Sequence, residues 1–89
     1  MLSVVFKSRF KRDLRKLKSS NRNEDELLAV IEVLAMEQPL RAKFRDHALT
    51  GDYTGCRECH IRPDWLLVYQ ATDTELILLR TGSHSELFG

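Results

Sequence analysis

Eighty-nine residues, 43% of them hydrophobic and 30% charged, describe one soluble domain (residues 1–89) with a modest core and no room for a second. No apolar run approaches the roughly 20 residues a membrane helix requires, which argues against a spanning protein. The formal net charge of +1 hides an asymmetry. Residues 1–22 hold eight Lys and Arg against Asp13 alone, a local +7, while the rest of the chain carries −6. Such a patch suits phosphates or an acidic protein partner, and equally suits a solvated helix face.

The opening "MLSVVFKSRFKRD" places its basic residues after a very short apolar stretch, the reverse of a secretory signal, so a cytoplasmic location is expected. In a reducing compartment Cys56 and Cys59 are expected as free thiols.

Leu2 to Phe6 reads as a short strand. Phe6, Phe10, Leu14 and Leu17 then recur at spacings of four, four and three, predicting an amphipathic helix from about Lys7 to Lys18 with its cations on the other faces. After the "SSNRN" loop, Asn23 with Glu26 three residues on resembles a capping box. Glu24, Asp25 and Glu26 bring negative charge to a first helical turn, where the macrodipole favours it. Leu27, Leu28, Ile31, Leu34 and Ala35 would form the buried stripe of this second helix, which should stop near Glu37, before Pro39. From Gln38 to Gly55 periodicity is lost and a long connection is expected, a common place for function. Three strands follow at Cys56–Ile61, Trp65–Gln70 and Glu75–Arg80, joined by turns short enough for an antiparallel meander. The tail "TGSHSELFG" reads as a loop or a single helical turn. The expected architecture is α+β, two N-terminal helices packed on a small, mainly antiparallel sheet in the order βααβββ.

Cys56-Arg57-Glu58-Cys59-His60 matches the C-x-x-C-H spelling of covalent haem attachment. Strand alternation contradicts that reading: Cys56, Glu58 and His60 fall on one face, and Arg57, Cys59 and Ile61 on the other. Two thiols that diverge cannot chelate one metal, and Met1 and Met36 are poorly placed as axial haem ligands. Zinc held by Cys56, Cys59 and some of His47, His60 and His84 lacks a standard spacing as well. The thiols are better read as small residues filling strand positions, and no metal or cofactor is expected. His47, His60 and His84 lie in or beside loops, and spacing alone does not join them.

Three blocks do join them. D-H-x-L at Asp46–Leu49, H-x-x-P-D-W at His60–Trp65 and R-x-G-S-H-x-x-L-F at Arg80–Phe88 closely resemble the YafQ branch of the RelE-type toxins of bacterial toxin–antitoxin systems, over about Asp46 to Gly89. The resemblance implies a RelE-like fold, and a metal-independent endoribonuclease that cuts messenger RNA on the ribosome to inhibit translation. It also implies a cognate antitoxin of the DinJ kind as partner. It implies an active site at the positions of His47, His60, Asp64, His84 and Phe88. Ala48 stands where relatives commonly have proline, which loosens the His47 loop without removing a catalytic group. The N-terminal half matches weakly, so no ribosome contact transfers to individual Lys or Arg residues.

Metal-free RNA cleavage uses the ribose 2′-hydroxyl as nucleophile, so it needs a base, an acid for the departing 5′-oxygen, and charge for the phosphorane. Imidazole, with a pKa near 6.5, can fill each role. His84 is assigned as acid, Asp64 as orienting carboxylate or base, and His47 and His60 as phosphate binders that can share the base role. Trp65 and Phe88 are candidates for stacking on a substrate base, with core packing the competing reading of Trp65, which opens an apolar strand. Arg80 can pair with a phosphate or form a rim salt bridge. The rival reading is a non-catalytic module of the same fold that binds RNA or antitoxin; it has no use for a matched acid and base.

Overall fold

The computed structural model describes residues 1–89. The strands are β1 (Ser3–Phe6), β2 (His47–Ala48), β3 (Arg57–Arg62), β4 (Trp65–Ala71) and β5 (Glu75–Gly82), and the helices are α1 (Ser8–Leu17), α2 (Glu24–Ala35) and α3 (His84–Phe88). They make one five-stranded sheet in the order β1-β5-β4-β3-β2. β1 runs parallel to β5, and the other pairs are antiparallel. The expected α+β class and mainly antiparallel sheet are therefore present. The crossover from β1 to β5 brings α1 and α2 onto one face of the sheet, over a core built from Phe10, Leu17, Leu27, Ile31, Cys59, Trp65, Leu67 and Leu78 among others. The opposite face carries a smaller apolar cluster of Leu66, Val68 and Leu87, so α3 closes only part of it and leaves the rest open.

Several local expectations need correction. The 38–55 connection is not structureless: it holds 3-10 turns at Ala42–Phe44 and Gly51–Tyr53 and the two-residue edge strand β2. A two-residue strand has no period to detect. The capping box at α2 is half made. The Asn23 side chain accepts from Asp25 N at 2.9 Å, but Glu26 turns away to accept from Arg62 Nε at 2.8 Å, because a full guanidinium partner outcompetes one backbone N–H. α2 ends at Ala35, and Glu37 takes a left-handed turn (φ 58°). On α2, Leu28 is 48% exposed and Val30 is buried in its place; the stripe is rotated by about one residue from the one read by periodicity. On α1 Phe10 and Leu17 are buried as expected, Phe6 is exposed, and Asp13 is unexpectedly buried. The cations Lys7, Arg9, Lys11, Arg12, Arg15, Lys16 and Lys18 are all exposed.

Candidate functional site

β3 sets the site through its alternation. Cys59 and Ile61 point into the helix-side core, and Glu58 and His60 face the other way, as strand geometry requires. Cys56, like Tyr53 and Leu49, packs against the Leu66–Val68–Leu87 cluster on that second face. The two thiols therefore lie on opposite sides of the sheet, and neither forms a disulfide. Burial raises the Cys59 thiol pKa to about 12, which keeps it protonated and unreactive.

His47 reaches the same face from the edge. β2 pairs with β3 so that His47 stands opposite Glu58. The preceding residue anchors it: Asp46 Oδ1 accepts from Tyr69 Oη at 2.6 Å and from Arg57 Nε at 3.2 Å. Burial first, then the hydrogen bond to Asp46 and its charge, push the Tyr69 phenol pKa well above its usual value. Glu58 is 5% exposed and lies between two imidazoles. Its Oε2 is 3.3 Å from His47 Nε2 and 3.5 Å from His60 Nε2. The other ring nitrogens meet backbone carbonyls: His47 Nδ1 lies 2.6 Å from Arg45 O and His60 Nδ1 3.2 Å from Pro63 O. A carbonyl oxygen only accepts, so Nδ1 carries the proton in both rings and Nε2 is turned to Glu58. Sequence reasoning missed Glu58 as a site residue. The signal available was its place two residues before His60, on the same strand face.

His84 arrives from the far end of the sheet. Gly82 closes β5 with a positive φ of 155°, and a Cβ there would meet Glu86 Oε1 at 3.0 Å and Leu87 Cδ2 at 3.3 Å, so only glycine lets α3 fold back this tightly. A reciprocal capping box follows, Ser83 Oγ accepting from Glu86 N and Glu86 Oε1 accepting from Ser83 N. It holds His84 in the first turn of α3. Leu87 pins the helix to Leu66 and Val68, and Arg22 reaches Glu86 at 3.1 Å from the α1–α2 loop. Asp64, in the tight turn between β3 and β4, accepts from His84 N at 3.0 Å and lies 2.8 Å from His84 Nδ1. The backbone N–H, then the ring, hold the Asp64 carboxyl below its ordinary value of 3.8. An ionised Asp64 accepts the hydrogen bond from His84 Nδ1–H, which leaves His84 Nε2 turned outward. The rings of His47, His60 and His84 follow one another along the face, with centroids 6.1 Å and then 5.7 Å apart.

Phe88, 45% exposed, stands edge-on to Tyr53 at 5.5 Å. Its ring remains open to a stacking partner. Trp65 does not: it is 1% exposed, lies in the helix-side core and donates from Nε1 to Thr81 Oγ1 at 3.0 Å. The substrate-stacking expectation for Trp65 is corrected, because β4 carries it on the face opposite His60. Arg80 does lie on the site face, across Val68 from Glu58 in the strand register. Its charge, however, is already matched. Nε and Nη2 donate to the Asp13 carboxylate at 2.7 and 3.2 Å, and Thr81 N joins them at 3.1 Å. Of the two readings offered for Arg80, the salt bridge is the one present, as a nearly buried ion pair that ties α1 to β5 rather than a contact at the rim.

Comparison with known proteins shows the family. The family model for the bacterial YafQ toxin of type II toxin–antitoxin systems matches residues 2–89. This chain belongs to the YafQ toxin family. It is 32% identical to the mRNA interferase toxin YafQ of Escherichia coli (strain K12), over 97% of this chain and 95% of that protein. Its fold superposes on the E. coli DinJ–YafQ complex with a TM-score of 0.92 at 31% identity, covering all of both chains. It also superposes on a copper-bound mutant toxin from Helicobacter pylori with a TM-score of 0.93 at 49% identity, covering 99% of this chain and all of that one. No helix is long and apolar enough to cross a membrane.

Proposed function

We propose that this chain is a single-domain mRNA interferase: an endoribonuclease that cuts messenger RNA by acid–base catalysis, without a metal in the reaction, and so arrests translation. The observation that carries the reading is the facing of two units on one open sheet surface, the Asp64–His84 pair and the His47–Glu58–His60 cluster. Asp64 is engaged by His84, so the orienting role of the two offered by the sequence suits it better than the base role. An imidazolium at His84 held by Asp64 would protonate the 5′-oxygen as the P–O5′ bond breaks. The base role then passes to Glu58, the carboxylate left between two imidazoles, which would take the 2′-hydroxyl proton as the 2′-oxygen attacks phosphorus. As imidazolium ions, protonated at Nε2 as well as Nδ1, His47 and His60 would turn their Nε2–H groups to the non-bridging phosphate oxygens. The products of that sequence are a 2′,3′-cyclic phosphate and a 5′-hydroxyl end. Phe88 would stack on a neighbouring base.

The exposed cations of α1 suit a ribosomal RNA surface, since binding to phosphate is dominated by such charges and falls steeply with salt. An antitoxin of the DinJ kind would silence the toxin in the cytoplasm, as the E. coli relative's complex suggests. Mapping of mRNA 5′ ends after induction, with wild type and His84→Ala, tests the reading. It requires new 5′-hydroxyl ends from the wild type only, at a rate EDTA does not slow; equal cleavage by the variant would end it.

A further inference from the structure

We infer that the cleft along the uncovered end of β3 seats the nucleotide on the 5′ side of the cut, and that Arg45, with Lys43, holds the phosphate at that nucleotide's 5′ end. This subsite presupposes the nuclease reading proposed above. The cleft exists because β2 is only two residues long. It pairs with Arg57 and Glu58 and leaves the β3 edge beyond them uncovered, and α2 and the 3-10 turn at Ala42–Phe44 stand beside that edge around a cavity of about 510 Å³. Sites for one small ligand span about 300–1,000 Å³. Glu26, Lys43, Phe44, Arg45, His60 and Arg62 line it. Beside it, sharing Lys43 and Phe44, an apolar recess of Val30, Val33 and Leu40 offers a surface on which a base can lie.

Three cations and one carboxylate face this space. Arg62 is matched, since its Nε donates to Glu26 Oε2 at 2.8 Å. Lys43 and Arg45 pair with no carboxylate, and Asp46, the next residue, is taken by Tyr69 and Arg57. Lys43 Nζ lies 5.1 Å from the centre of the Phe44 ring. Two uncompensated cations at a concave surface attract a phosphodiester. Arg45 is also fixed in place. Its backbone is left-handed, with φ 49°, a conformation uncommon outside glycine, and its carbonyl meets His47 Nδ1 at 2.6 Å. One residue therefore orients an imidazole of the site with its backbone and lines the neighbouring cleft with its side chain.

The assigned chemistry gives the strand a direction. His84 protonates the departing 5′-oxygen, so the downstream nucleotide lies toward α3 and Phe88. Glu58 takes the 2′-hydroxyl proton, so the upstream ribose lies at the His47–Glu58–His60 end. The cleft adjoins that end through His60 and Arg45, and no residue of α3 lines it. An acidic protein segment would find the same charge, but the continuity with the imidazole row favours RNA.

The test uses the full chain. Arg45→Asn removes the cation and keeps a residue that tolerates a left-handed backbone. The probe is a short RNA with one 2′-deoxy residue at the mapped cleavage position, which binds but cannot be cut. In the nitrogen-15-labelled protein it should shift the amide signals of Lys43, Phe44, Arg45 and Arg62. Replacing the phosphate 5′ to the deoxy residue by an uncharged methylphosphonate should weaken binding to the wild type about tenfold, as one charge-assisted contact does, and should change nothing in Arg45→Asn. The same replacement one phosphate downstream of the cut should weaken both proteins alike. The log–log salt slope of binding should be shallower by about 0.7 in Arg45→Asn, one phosphate contact fewer on a single strand. On ribosomes, Arg45→Asn should raise KM for the message more than it lowers kcat, and Arg45→Lys should restore most of the loss. Equal weakening of both proteins by the upstream replacement, or unmoved cleft amides, overturns the subsite and leaves the cleft to an acidic protein partner. A fall in kcat alone overturns the phosphate role, because Arg45 would then act only through His47. A wild type that cuts no mRNA would refute the nuclease reading instead, with the methylphosphonate comparison still deciding whether Arg45 grips RNA.

Discussion

Asp13→Ala should unfold most of the molecule's stability margin although Asp13 lies on a surface helix. Its carboxylate accepts three hydrogen bonds, two from Arg80 and one from Thr81 N, and the Asp13 and Arg80 side chains are only 7% and 11% exposed. Alanine leaves a guanidinium and a backbone N–H nearly buried without an acceptor. Removing one partner of a buried pair costs about 3–5 kcal/mol, and solvent screening does little to reduce that at this exposure. Against a typical total of about 5–15 kcal/mol, a loss near 4 kcal/mol takes much of the margin. It should lower Tm by roughly 15–30 °C for a chain of this length. Urea unfolding followed by fluorescence reads it cleanly, because the one tryptophan, Trp65, sits in the core. The double variant Asp13→Leu/Arg80→Met should recover most of the loss, since it removes both charges together. A single variant within about 1 kcal/mol of wild type would show that the pair is not what joins α1 to β5.

Trp65→Phe should destabilise by about 2 kcal/mol, through lost volume and an Oγ1 of Thr81 left without its donor, while kcat on RNA stays near wild type at temperatures where the variant is folded. Phe88→Ala should leave stability within about 0.5 kcal/mol and raise KM more than it lowers kcat. The Asp64 carboxyl should titrate below 3.8 by NMR. Because its folded pKa is depressed, its contribution to stability is present above the unfolded value and is lost as pH falls through the folded one, below about pH 4. In His84→Ala the titration should move only part of the way back up, since the backbone N–H of residue 84, the larger cause of the shift, remains.

What the sequence made legible follows from period and motif. The alternation of β3 separates Cys56 from Cys59 and places Glu58 with His60, and the phenylalanine and leucine spacing locates α1. The failures have physical reasons. Trp65 opens an apolar strand whose two faces are both covered at that point, so no alternation showed which way it turned. Arg80 stood open between a phosphate contact and a salt bridge because its partner, Asp13, lies 67 residues away in a helix otherwise full of positive charge. Leu28 was assigned inward because an apolar stripe broader than the contact leaves its centre ambiguous by one residue. Glu58 was overlooked because a carboxylate inside a C-x-x-C-H string draws less notice than its cysteines, and its burial is a tertiary fact. The pairing of His84 with Asp64 depends on Gly82 and the Ser83–Glu86 cap folding α3 back, geometry that a motif implies only by resemblance.

The assignment of His84 as the acid that releases the 5′-oxygen is open to a direct chemical measurement. An RNA substrate whose scissile 5′-oxygen is replaced by sulfur has a leaving group that departs without a proton, so it should make the acid dispensable. His84→Ala should cut the natural substrate about 10²–10⁴-fold more slowly than wild type, the usual worth of a positioned acid, and cut the sulfur-bridged substrate at nearly the wild-type rate, whereas Glu58→Gln should stay slow on both. A His84→Ala defect of equal size on the two substrates would contradict the assignment.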